Sequence, residues 1–152
     1  MRIALVHDWL TGMRGGEKCL EVACRCFPDA RIFTLLHRPG SVSAAIERHS
    51  ITTSWLGRLP GVARYYRSLL PLMPGAVEQL RIPAGVDLVL SLSHAVAKGA
   101  IVPRGIPHVC YCFTPMRYAW DRRSDYLGRG LTGVWPARAA ADAGAQLLVV
   151  LN

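Results

Sequence analysis

The chain opens with a short unbroken apolar run, Ile3 to Val6, which gives way to His7 and Asp8. A run with no polar position suits a strand buried on both faces, and residues 2–7 are predicted as one. Beyond a glycine-bearing loop the period changes. Leu20, Ala23, Cys24 and Phe27 recur at the i, i+3, i+4, i+7 spacing of a helix face, so residues 16–26 are predicted as a helix that Pro28-Asp29 ends. Residues 31–36 return to a strand pattern. Strand, helix and strand with short connections are the pattern of a parallel sheet. Downstream, a short helix is predicted over Ser41–Glu47 with a serine cap, and a short strand over Ile51–Thr53. Helical pieces follow over 61–70 and 75–80, punctuated by Pro60, Pro71 and Pro74. A buried strand over Asp87–Ser91, a turn or short helix over His94–Gly99 and a strand over 108–112 complete the regular part. Gly128 to Gly133 reads as a loop, Pro136–Ala145 as an Ala-rich helix and Leu147–Leu151 as a final strand-like run. The class is α/β, with a parallel sheet flanked by helices, and the 152 residues form a single domain.

Composition narrows this picture. With 51% hydrophobic residues the chain has enough apolar mass for a folded core. Its apolar runs are far shorter than the roughly 20 residues of a membrane-spanning helix, and the N-terminus lacks the layout of a signal peptide. The expected location is cytoplasmic. Lys and Arg total 18 against 10 Asp and Glu, a net charge of +8. Such a surface suits phosphorylated molecules, an anionic membrane face or nucleic acid. The basic residues are scattered and no block of five or more occurs, which weighs against nucleic acid. The odd cysteine count, five, argues against a disulfide framework. The C-x-C pairs Cys24/Cys26 and Cys110/Cys112 lack the usual zinc spacing, so buried apolar thiols are expected and a metal is not.

Candidate chemistry collects where strands end. The Gly15-Gly16-Glu17 loop matches neither a dinucleotide fingerprint nor a P-loop. It reads either as a tight turn or as a helix N-terminus whose free amides face a phosphate, with Arg14 and Lys18 alongside. His7, Asp8 and Trp9 end the first strand, and His94 follows a later one. In open α/β sheets that edge carries the ligand crevice. In "LPGVARYYRSLL" the residues Val62, Tyr65, Tyr66 and Leu69 share a helical face while Arg64 and Arg67 lie off it. This is either a stripe packed on the sheet or a basic amphipathic helix for a membrane interface. In "CYCFTPMRYAWD" aromatic residues interleave with Arg117 and Asp121, a mixture suited to a sugar or a phosphate.

The runs "MRIALVHDWLTGMRGGEK", "IFTLLHRPGSVS", "LPLMP", "SLSHAVAKGAIVP" and "CYCFTPMRYAWD" occur in this order over residues 1–127. Together they resemble the N-terminal half of bacterial family-4 glycosyltransferases, enzymes of the GT-B type with two Rossmann-like domains. Residues 128–152 carry no such resemblance. The resemblance implies an acceptor-side domain whose partner domain holds a nucleotide-sugar donor, with retaining transfer in the cleft between them. It implies no cofactor and no essential metal. Gly15 and Gly16 would approach the donor diphosphate, His94 would be the catalytic candidate, and His7, Asp8, Arg117 and Tyr118 would line the cleft on the acceptor side. Acceptors in such pathways, which build cell-surface polysaccharide, are lipid-linked glycans, so contact with the inner membrane face is an expectation. Two features depart from the family. Phe113 stands where relatives often carry a His, which leaves His94 to supply the polar contact. The donor-domain motif with paired Glu is absent, so the chain is expected to be a fragment or one piece of a split enzyme, inactive alone. The rival expectation is a standalone acceptor-binding or docking module; a nucleic-acid-binding domain ranks last.

Overall fold

In a computed structural model of the chain, residues 1–113 are described. They form a parallel sheet of five strands in the order β3-β2-β1-β4-β5. The strands are β1 (Ile3–His7), β2 (Arg31–Thr34), β3 (Ile51–Thr53), β4 (Leu88–Ser93) and β5 (His108–Cys112). The helices are α1 (Gly15–Cys26), α2 (Ala44–Glu47) and α3 (Met73–Glu78). The fold is therefore the α/β parallel sheet that the period changes imply.

β1 lies at the centre with all five residues buried. Its alternate side chains feed two cores. Ile3 and Leu5 pack with Leu20, Cys24, Ile32 and Ile46 on the side of α1 and α2. Ala4 and Val6 pack with Phe33, Leu56, Tyr66, Met73 and Val77 on the other side. Burying each large aliphatic side chain contributes roughly 1.5–3 kcal/mol. Apolarity along β1 is thus demanded by two cores at once.

The chain leaves β1 first toward β2 and later returns to its other side as β4. The reversal of strand order creates a crevice outside the carboxyl ends of β1 and β4, where open α/β sheets hold ligands. His7 stands opposite Leu92 in the register, so the residues that follow each strand meet at that crevice.

Several elements differ from expectation for identifiable reasons. The helix predicted over 61–70 is a chain of 3-10 turns, Val62–Arg64 and Tyr66–Leu72, preceded by Trp55–Arg58. Pro71 sits within the last of these turns, and Pro74 lies in the first turn of α3, so no long α-helical ladder forms. Of the predicted stripe, Val62 and Tyr66 are buried but Tyr65 is exposed. Ser41 does not cap α2. Its hydroxyl donates to the carbonyls of Arg38 (2.6 Å) and Leu10 (3.1 Å), and the helix begins at Ala44. β4 runs on to Ser93. The cysteines are not all buried: Cys24 is, Cys19 is half-buried, and Cys26, Cys110 and Cys112 are exposed. The last two lie on the edge strand β5, which is exposed throughout. The predicted helix over 136–145 and strand over 147–151 lie outside the described residues.

On α1 a spacing of two sends Cys24 into the core and Cys26 to the surface. Burial pushes the Cys24 thiol up to about 11. A thiol reagent at pH 8 is expected to modify Cys26 in the folded protein and Cys24 only after denaturation, as peptide mapping would show.

Candidate functional site

Asp8 follows β1 and is wholly buried. Its carboxylate accepts four main-chain N–H bonds from the segment after β4. Oδ2 takes His94 (2.8 Å) and Ala95 (3.0 Å); Oδ1 takes Val96 and Ala97 (2.8 Å each). The Ser93 hydroxyl also donates to Oδ1 at 3.2 Å, and the His94 ring places Nδ1 3.0 Å from Oδ2. Burial by itself would raise the Asp8 pKa. The hydrogen bond from the His94 ring, the largest opposing cause, and the main-chain amides, Ala97 among them, outweigh it and hold the carboxyl well below the usual range. Asp8 was expected to line the cleft. It stands behind the wall instead, with its acceptor capacity consumed, and acts as a positioning residue.

The ring of His94 is fixed by this contact and by Trp9, whose ring meets it edge-on at 4.7 Å. Trp9 in turn packs on Tyr66 at 5.2 Å. Because an ionised carboxylate only accepts, His94 Nδ1 carries the proton and Nε2 is left for the cleft. His7, at the end of β1, is fixed in the same way. Its Nδ1 lies 2.8 Å from the Leu92 carbonyl and donates to it. Burial lowers the His7 pKa, against the opposing charges of Asp8 and Glu17, so the ring is held neutral. Its outer edge faces Gly16. A Cβ on Gly16 would stand 3.2 Å from His7 Cε1 and 3.6 Å from the Phe113 ring, whereas a Cβ on Gly15 would meet nothing within 4 Å. Gly16 is required by packing, and Gly15 leaves its backbone open to the cleft.

Helix α1 starts at Gly15, so its first amides have no partner inside the helix. Glu17 is almost fully buried and caps the turn, Oε2 accepting the Arg14 amide at 3.0 Å. His7, Trp9, Arg14, Gly15, Gly16, Glu17, Tyr66, Arg67, His94 and Phe113 enclose a cleft of about 420 Å3. Arg67 reaches it with its guanidinium 5.6 Å from the Tyr66 ring centre. The structure thus brings together His7, Gly15, Gly16 and His94 and sets Asp8 behind them. Arg117 and Tyr118 lie outside the described residues. Sequence reasoning missed Glu17, and it read Tyr66 as part of an amphipathic stripe with Arg67 lying off it. The signal for Glu17 was its place three residues beyond Arg14, the capping spacing. Among the described residues no three His, Cys, Asp or Glu side chains are placed to hold a metal ion. None of the helices there is long and apolar enough to cross a membrane.

The chain matches no protein-family model and no curated protein. A solved structure to which it is similar is the apo form of the lipopolysaccharide outer core galactosyltransferase WaaB, at 14% identity and a TM-score of 0.36. The similarity covers 61% of this chain and 26% of that one, so the chain spans about a quarter of that protein's length.

Asp8→Asn sets an amide N–H2 among N–H donors and is expected to cost roughly 2–4 kcal/mol in a denaturant melt. In the native chain stability should fall as pH drops below ~6.5, where the neutral buried His7 must take a proton. It should fall further below ~4, where carboxylates protonate in the unfolded chain while Asp8 stays ionised in the fold. The variant loses that lower component. Gly16→Ala forces its methyl against the fixed His7 ring, and a net loss of roughly 1–2 kcal/mol is expected.

Proposed function

We propose that this chain is the acceptor-side domain of a GT-B glycosyltransferase and that the cleft receives the diphosphate of a nucleotide-sugar donor against Gly15 and Gly16. The observation that carries this reading is the asymmetry between the two glycines. Gly16 is explained by the fold, because a side chain there collides with His7. Gly15 is not: its Cβ position is open, its φ is not left-handed, and it starts a helix at the mouth of a cleft that also holds Arg14 and Arg67. A helix N-terminus with two guanidiniums nearby favours an anion. The order of motifs over residues 1–127, similar to family-4 enzymes, supports the finer assignment.

In this reading the charge that develops on the leaving diphosphate is stabilised by preorganised amides and by Arg14 and Arg67. His94, oriented by Asp8, offers Nε2 to a substrate hydroxyl and is the catalytic candidate on this domain. Phe113 forms an apolar wall where relatives present a polar group. The nucleotide is a substrate, and no cofactor or metal is invoked. The donor domain supplies the remaining contacts, so sugar transfer is not a property of this domain alone. The acceptor side faces a lipid-linked glycan at the inner membrane surface. Exposed Trp55, Tyr65 and Leu72, interspersed with Arg58 and Arg64 on one segment, support seating on an anionic bilayer.

Gly15→Ala tests the central contact. The fold leaves room for the methyl, so stability should hold or rise by roughly 0.4–1 kcal/mol. Binding of inorganic pyrophosphate, measured by titration calorimetry at low salt, should weaken roughly tenfold or more. Unchanged pyrophosphate affinity in this variant, or no binding by the native chain, removes the diphosphate reading.

A further inference from the structure

The two edges of the sheet are built differently. β3, at one edge, has three residues, two of them threonine. Natural sheets keep free edges short, charged or kinked, because an open row of N–H and C=O groups invites pairing. β5, at the other edge, has none of these protections. It pairs with β4 one to one over five residues, and it carries no Lys, Arg, Asp, Glu or Pro. Four of its five residues are apolar, yet all five are exposed, Val109 by 51% and Tyr111 by 58%. The ladder shows which main-chain groups are open. Val89 donates to the Pro107 carbonyl and Phe113 donates to the Ser93 carbonyl, so the odd-numbered residues turn their main chain toward β4. Those of His108, Cys110 and Cys112 turn outward, where no further strand stands among the described residues.

The chain itself holds a segment that fits this edge. Leu147–Leu151 is five apolar residues with no polar position, which suits a strand buried on both faces. The 34 residues 113–146 separate it from β5, and a parallel crossover needs a dozen or more. A segment tethered in this way acts at an effective concentration on the order of a millimolar, so a second copy of the chain at lower concentration competes poorly for the edge. We propose that Leu147–Leu151 pairs with β5 as a sixth parallel strand, and that the crossover lays Pro136–Ala145 over Cys110 and Cys112. Handedness selects that face. The crossover from β1 to β2 carries α1 on the side of Ile3 and Leu5. A step outward from β5 runs the opposite way across the sheet, so a right-handed connection crosses the other side. On that side His108, Cys110 and Cys112 stand level with Val89, Ser91 and Ser93, and Val89 belongs to the core of Ala4 and Val6. Residues 128–152, which carry no family resemblance, then complete this sheet. The inference does not depend on the glycosyltransferase reading.

The test is amide hydrogen exchange and cross-strand NOE measurement by NMR on the full chain, with thiol labelling at pH 8 and light scattering over a series of concentrations. In the native chain the His108, Cys110 and Cys112 amides should exchange at least roughly a hundredfold more slowly than in an unfolded chain. Cys110 and Cys112 should react at least roughly tenfold more slowly than Cys26, NOE contacts should link 147–151 with 108–112, and the mass should be that of one chain. Val149→Pro and Val150→Pro then remove the pairing. Successive strand residues turn their N–H groups to opposite sides, so one of the two faces β5, and that variant should release the three amides and both thiols. The Val96 and Ala97 amides, held by Asp8, report that the rest of the sheet stays folded. The proposal is overturned if the three native amides exchange at unfolded-chain rates and Cys110 and Cys112 label like Cys26. It is overturned equally if neither proline variant releases them while the Asp8-bound amides stay protected, which would mean another cover. Protection that rises with concentration together with a doubled mass would overturn it in favour of a second copy at this edge.

Discussion

Everything at the carboxyl edge of this sheet depends on one buried anion. The Asp8 carboxylate is wholly buried, and it is surrounded by N–H groups from the segment after β4. Desolvating a carboxylate is expensive, and only a dense set of donors offsets that cost. The segment 94–97 supplies it because its successive amides curl to a common point, a backbone nest of the kind that binds anions. The dependence is mutual. Without the carboxylate those amides have nothing to bond to, and without them Asp8 cannot stay charged in the core. The Asp8 main chain adds a further tie, its carbonyl accepting the Leu35 amide at 3.1 Å. One residue thus fastens the ends of β1, β2 and β4, the three middle strands.

From that tie follows the electrical layout of the cleft. Asp8 decides which nitrogen of His94 carries the proton, and the Leu92 carbonyl decides the same for His7. The neutral His7 ring then offers a lone pair at Nε2. In the lining of the cleft, a helix start and two arginines offer protons. Trp9, Tyr66 and Phe113 add aromatic carbon to the same lining.

How much of this was legible in the sequence depended on how local each interaction is. The period change from Ile3–Val6 to the Leu20–Cys24 face predicted β1 and α1, because side-chain periodicity is a local property. The strands at 51–53 and 108–112 were legible for the same reason. The segment after Pro60 was not. Its apolar spacing suits an α-helix, but prolines in the turns break the ladder, and tertiary packing selects 3-10 turns in which Tyr66 is buried and Arg67 reaches the cleft. The role of Asp8 was equally hidden. Its partners lie 85 to 89 residues away, and a lone Asp beside a His reads as a ligand-facing residue until those amides are seen. Cys110 was expected to be buried because cysteine is a small hydrophobe, yet it lies on an edge strand where composition gives no information about cover. Glu17 was overlooked because its role is a local one, closing the first turn of α1 through the Arg14 amide.

The same separation along the chain sets a timetable. β1, α1, β2 and β3 are complete by residue 53, and their contacts are between neighbours in sequence. The central strand still lacks its second partner at that stage, since β4 begins at Leu88. A chain emerging from the ribosome at roughly 5–20 residues per second therefore holds Asp8 hydrated, and one flank of β1 bare, for several seconds before residues 93–97 arrive. The keystone of the sheet is laid almost first and locked only 89 residues later, so the interval between the two is when the nascent chain is most exposed to pairing with the wrong strand.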